Sequence, residues 1–277
     1  MYQAGFNVAI ACYLAGTVTY FLLIILRRQI LHSLGYGFLA VGFAAHTLSF
    51  ISGYVQRGYF PVIDFQEALS FFAWAIAGSY LGLQLKFNIR VLGSFVTPLC
   101  SVLMICSRAL PQEIVVAKPL YKSVWLTLHV ITIFLGNGIF AVAFVAAVMY
   151  LLQEHQIKTK KSGFFFHRLP SLGTLDSMNY YCIMVGFPLL TLGMITGSIY
   201  AQMALGTFWR WDPKEVWSLA TWLLYAALLH ERLTVGWRGR RTAIMAIAGF
   251  LVLLFSLLGV NFLLKGYHSF SSLGGAS

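Results

Sequence analysis

The stretch "SVWLTLHVITIFLGNGIFAVAFVAAVMYLL", Ser123 to Leu152, holds no Asp, Glu, Lys or Arg. Coiled at 1.5 Å per residue it would reach about 45 Å, more than the roughly 30 Å hydrocarbon core of a bilayer. The one histidine in it is His129, close to its start. Comparable runs occupy residues 4–26, 34–55, 66–85, 91–107, 180–203, 215–232 and 242–263, which makes about eight. None alternates apolar and polar residues as a barrel strand does, and a backbone crossing lipid has to satisfy its own hydrogen bonds, so helices remain. The expected fold is all-α: a polytopic membrane helix bundle of about eight transmembrane helices. Residues 1–277 form a single bundle, with no polar domain and no fixed-period repeat between the runs.

Composition agrees. Of 277 residues, 59% are hydrophobic and 10% charged, with a mean hydropathy of +0.79; a soluble domain is about 25% charged. The first run lacks a basic leader and a small-residue cleavage site, so it is expected to stay as a helix. Lys and Arg favour the cytoplasmic side of short loops. Arg27, Arg28, Lys86, Arg90, Lys158, Lys160, Lys161, Arg168, Arg232, Arg238, Arg240 and Arg241 fall on one side, most of the 19 basic residues. That side is expected to be the cytoplasm. Both termini then lie outside, together with Asp64, Glu67, Glu113, Asp212 and Glu215. The net charge of +11 follows mainly from this bias. Nucleic acid is not an expected partner, because the cations are spread over several loops without a binding fold. The longest cytoplasmic connection, 153–179, carries a basic run and then "GFFF"; it either lies on the anionic inner leaflet or is a plain solvated loop. Cys12, Cys100, Cys106 and Cys182 sit in or near apolar runs and form neither CxxC nor CxxCH. They read as structural, and the chain carries no covalent haem of its own.

The polar residues concentrate in "GTFWRWDPKEVWSLATW", Gly206 to Trp222. In "DPKE", Asp212 can cap a helix, Pro213 suits its first turn, and Glu215 can reach back to the cap amide. Trp209, Trp211 and Trp217 can form an interfacial aromatic belt. Belt and cap together account for the local pattern without any ligand.

Histidines add a second reading. His32, His155 and His167 fall in cytoplasmic connections, whereas four others lie at or inside the membrane, where an ionisable residue is a functional candidate. His129 lies near the outer end of the fifth helix and His268 follows the eighth on the same side. Two imidazoles with aromatic surface between them suit a flat iron macrocycle, each nitrogen taking an axial position; satisfied interfacial histidines are the alternative. His230 lies about 20 Å beyond Trp217 along the seventh helix, and His46 lies near the middle of the second. The two could pair across a second haem, but their expected depths differ by about 11 Å. Each could equally be a lone polar contact between helices.

"WRWDPKEVWSLATWLLYAALLH", followed by "GVNFLLKGYHSF", resembles the tryptophan-rich WWD signature of haem-handling proteins, and most closely the CcsA (ResC) family of System II cytochrome c biogenesis. "WLTLHV" and "RGYFPVIDFQEALSFFAW" extend the resemblance over most of the chain from Gly53 onward. HemX-like proteins belong to the same superfamily. Three positions depart from the family pattern: Leu205 stands where a tryptophan is usual, Phe208 where a tyrosine is common, and Leu264 where a glycine is usual.

The resemblance implies that an outward WWD loop, about 204–217, binds haem b. His129 and His268 would be its axial ligands, with Trp209, Trp211, Asp212 and Trp217 in the loop; His230 would attend haem within the membrane, and His46 is a further candidate. The implied function is the haem-handling subunit of a cytochrome c synthase (haem lyase) complex, presenting haem for thioether attachment to an apocytochrome c CxxCH. Implied partners are a CcsB/ResB-like membrane protein, apocytochrome c, a thioredoxin-like thiol reductant and membrane lipid. The implied location is a bacterial plasma membrane ahead of a thylakoid, with the loop on the periplasmic or lumenal side. The alternatives are a HemX-like haem regulator or transporter and a b-type electron carrier. A solute transporter would call for internal inverted symmetry, which the sequence does not display.

Overall fold

The computed structural model describes residues 2–111, 118–160, 163 and 168–260. They form α1 (Tyr2–Leu26), α2 (Gln29–Arg57), α3 (Phe65–Phe87), α4 (Gly93–Ala109), α5 (Val124–Lys158), α6 (Leu172–Leu205), α7 (Pro213–His230) and α8 (Arg240–Leu254), joined by short turns and loops. No strand occurs among the described residues. Seven of these helices are long and apolar enough to cross a membrane, α4 with the turn that precedes it and α8 with the turn Phe255–Gly259 that follows it. The exception is α7, at 18 residues, which opens on Pro213, Lys214 and Glu215 and ends on His230.

The largest departure from expectation concerns the connection 153–179. Helix α5 runs on to Lys158 and α6 already starts at Leu172, where Ser171 caps it by accepting from the Thr174 amide at 3.2 Å. Hydropathy hides this early start because the first turns of α6 carry Asp176. Its carboxylate takes two bonds from Arg232 at 2.7 Å each and one from the Gly239 amide at 2.7 Å. A carboxylate so paired tolerates a helix end that a free one would not. Most of the "GFFF" segment and His167 lie outside the described residues.

Two groups of helices meet on α5. In the first, α1 packs on α2 and α4, and α3 on α4; in the second, α5 packs on α6 and α8, and α7 on both α6 and α8. Contact of α5 with α3 joins the groups. Lipid tails are as apolar as the side chains, so such helices gain by close packing. Where α3 meets α5, a Cβ on Gly138 would stand 2.6 Å from the Ala75 carbonyl carbon, so only glycine permits the approach.

Charge is sorted between the two ends of the bundle. One end holds Arg168, donating to the Ile24 carbonyl at 2.8 Å, Lys86 at 3.7 Å over the Tyr181 ring, the Arg232–Asp176 pair, and Arg240 with Glu154 at 3.1 Å. These belong to the basic set assigned to one side from the sequence. The other end holds Arg57 paired with Glu67, and Asp64 capping α3 through the Glu67 amide at 2.6 Å. Glu67 also accepts from the Ile63 amide at 3.0 Å, and the Tyr59 and Tyr121 rings meet at 5.9 Å.

Candidate functional site

The tryptophan loop lies at this second end. Helix α6 stops at Gly206, whose φ of +75° places it in the left-handed region that favours glycine. The chain then turns back through Trp211, a bulky residue with φ +61°. Immediately after it, Asp212 accepts from the Lys214 amide at 2.9 Å, while Glu215 accepts from the amides of Asp212 at 3.3 Å and Arg210 at 2.9 Å. The expected reciprocal cap of α7 is present. Trp209 and Trp211 meet edge to face, 5.8 Å apart at 85°. Trp211 is 73% exposed, whereas the Trp209 indole nitrogen is buried with no hydrogen-bond partner among the described residues. Trp217, on the second turn of α7, packs at 4.5 Å on Phe255, where α8 gives way to a wide π-type turn, Phe255–Gly259.

His129 sits in the second turn of α5, partly buried against α6. Its Nδ1 lies 2.7 Å from the Gly193 carbonyl oxygen. A carbonyl carries no proton, so Nδ1–H donates, and in the neutral ring the lone pair is on Nε2. The ring also lies against Gly197, about 13 Å along α6 from Gly206.

The other histidines are placed differently. His268 and Leu264 lie outside the described residues. His46 is 1% exposed inside the first helical group, with Nε2 2.8 Å from the Ser70 hydroxyl, Nδ1 3.4 Å from the Tyr13 hydroxyl, and Phe50 stacked at 4.9 Å. His230 is exposed at the end of α7. The structure does not bring His46 and His230 together.

Three contacts went unread in the sequence: the Gly193 carbonyl, Gly197, and Phe255 behind Trp217. Glycines four apart in "GMITG" are a signal for close helix approach, though only the structure shows what approaches them. The described residues fit a porphyrin: an imidazole in the Nε2 lone-pair tautomer, aromatic surface, and a buried indole N–H able to meet a carboxylate.

Comparison with known proteins follows from these features. The family model described as "Cytochrome C assembly protein" matches residues 62–268. The chain belongs to the cytochrome c assembly protein family. The matched region takes in His129, the tryptophan loop, His230 and His268, and leaves His46 outside it. Among relatives, the cytochrome c biogenesis protein CcsA of Guillardia theta is 35% identical over 95% of this chain and 94% of its own. CcsA of Gloeobacter violaceus is 30% identical over 97% of this chain and 96% of its own. CcsA of Chlamydomonas reinhardtii is 38% identical over 78% of this chain and 62% of its own. Within the family this chain is thus a CcsA-type member. The solved structure of the cytochrome c haem lyase CcmF shares the fold, with a TM-score of 0.66 at 16% identity. The match covers 99% of this chain and 48% of that one, so the chain spans about half its length.

Proposed function

We propose that this chain is the haem-handling subunit of a cytochrome c synthase: it holds haem b at the outer membrane face and presents it to an apocytochrome c. The observation that carries the proposal is the His129 imidazole, oriented by a backbone carbonyl in the tautomer an iron ligand needs and lying within the family-matched region. When bound, haem supplies two vinyl groups, each of which takes up one thiol of CxxCH to form a thioether. The chain supplies orientation and shielding. His129 and His268 would hold the group through their ring nitrogens, and Trp209, Trp211 and Trp217 would supply apolar surface that excludes water. Asp212 holds the loop on α7. Aligning two thiols with two vinyl groups is an entropic problem, worth up to roughly 7–11 kcal/mol in well-oriented cases. The histidine of CxxCH would compete with His129 and His268 for the group, which would give the chain a way to release its cargo.

The partners of this reading are a CcsB/ResB-like membrane protein, the apocytochrome and a thioredoxin-like thiol reductant, in a bacterial plasma membrane or a thylakoid. A b-type electron carrier would need stacked histidine pairs within the bundle; His46, with both ring nitrogens engaged, speaks against it.

The test is an absorption spectrum of the purified protein with its partner. A b-type Soret band, lost with maturation in a His129→Ala, His268→Ala variant and partly restored by millimolar imidazole in either single variant, supports the reading. Full maturation by the double variant without imidazole refutes it.

A further inference from the structure

Helix α6 presents two features to His129 that the family resemblance does not assign. One is the Gly193 carbonyl, 2.7 Å from Nδ1. The other is the missing side chain of Gly197: a Cβ there would stand 2.5 Å from Nδ1 and 2.7 Å from Cε1 of the imidazole. Both distances are shorter than real Cβ contacts, so any side chain at 197 has to move the ring. One turn earlier the two helices are equally close, since a Cβ on Gly193 would meet Ile133 at 2.5 Å. The Gly193 oxygen is shared, taking a 3.0 Å bond from the Thr196 hydroxyl, which also bonds the Leu192 carbonyl at 2.8 Å.

We propose that Gly193, Gly197 and Thr196 of α6 are positioning residues for His129, setting its tautomer and tuning the basicity of Nε2 through the shared Gly193 carbonyl. This rests on the reading of His129 as an axial ligand. A ligating histidine is ordinarily fixed by a hydrogen bond from its other nitrogen, and that bond raises its basicity. Here the partner is neutral backbone in place of a carboxylate, which avoids placing a charge at the edge of the membrane. Greater basicity at Nε2 favours the ferric state, so the strength of the Nδ1–H bond is legible in the midpoint potential of bound haem.

The test uses the full chain with its partner, titrated with haemin and followed by absorption and redox titration. Gly197→Ala displaces the ring, so haemin binding should weaken about 10- to 100-fold, the usual effect of losing such a bond, and the midpoint should rise. Gly186→Ala is the steric control: its Cβ would meet Phe140 at 2.7 Å in the same α5–α6 seam but away from His129, so it should lower stability and leave the midpoint in place. Thr196→Val removes only the competing hydroxyl, so the carbonyl binds Nδ1–H more strongly and the midpoint should fall. In a His129→Gly background, Gly197→Ala should add no further loss, because it acts through the imidazole. Equal midpoint shifts from Gly197→Ala and Gly186→Ala, or no shift from Thr196→Val, overturn the proposal. If His129→Gly itself leaves haemin binding unchanged, it is the ligand reading that falls. Should Gly197→Ala not fold, the sign of the Thr196→Val shift decides.

Discussion

Trp211 is held at φ +61° in a segment where glycine would be relaxed. For an L-residue the left-handed region costs roughly 1–2 kcal/mol. Replacing the tryptophan by Ala or by Gly removes the same ring, and only Gly also removes the strain. The ring is 73% exposed. About a quarter of its 150–250 Å² is therefore buried, worth about 1–1.5 kcal/mol in either variant. Glycine gives back about 0.5–1 kcal/mol through the entropy of the unfolded chain. Trp211→Gly should therefore be more stable than Trp211→Ala by up to about 1.5 kcal/mol, or up to about 6 °C in a melt for a protein of this size. Thermal unfolding of both proteins in one detergent measures the difference, and haemin retention measured alongside should fall in both. The strain then persists because the ring is needed where it stands. Ala matching or exceeding Gly in stability refutes the backbone argument, and unchanged haemin retention in both refutes the role of the ring.

Asp212→Ala should cost about 1 kcal/mol and Asp212→Asn only a few tenths, since Asn caps as well as Asp; equal damage from both would show that the charge itself acts in the loop. Asp176→Ala should cost about 3 kcal/mol or more in the same melts, because it strands the guanidinium of Arg232 in a largely buried site; a change under 1 kcal/mol would mean that water already serves the arginine. Cysteines placed at Arg238 and Lys122, both exposed at opposite ends of the bundle, should label with an impermeant thiol reagent only from the cytoplasm and only from outside, respectively. Labelling of the 238 position from outside would reverse the orientation of the whole site.

Much of the fold was legible because a bilayer imposes one rule on every crossing segment. Runs such as 123–152 and 66–85 became α5 and α3 with ends shifted by a few residues. The start of α6 was misplaced because a hydropathy reading treats Asp176 as an end signal, while the structure neutralises it against Arg232. The cap of α7 was legible down to its partners, since Asp212, Pro213 and Glu215 interact within one turn. The setting of His129 was not. Its partner on α6 is 64 residues away and is a backbone carbonyl, which no side-chain pattern announces. His46 was misleading for the complementary reason: burial made it a candidate, and only the structure shows Tyr13 and Ser70 on its two nitrogens.

The environments of His46, which is buried, and His129, which is partly buried, differ in one physical respect. A neutral imidazole in an apolar bundle has one donor and one acceptor to satisfy, and leaving either unmet costs about 1–3 kcal/mol. In the α1–α4 group the protein meets both needs of His46 with hydroxyls, which makes a closed contact and leaves nothing for a ligand to complete. On α5 the Gly193 carbonyl takes the donor of His129 and, being itself an acceptor, fixes the lone pair of the neutral ring on Nε2. The aromatic loop of Trp209 and Trp211 is carried by the same helix, beyond Gly206. On the proposed reading, a group with an electron-pair acceptor and a broad apolar face would engage both the Nε2 side of that ring and the loop. The proposal therefore rests on the tautomer of His129 and the aromatic loop taken together, rather than on the presence of histidine alone.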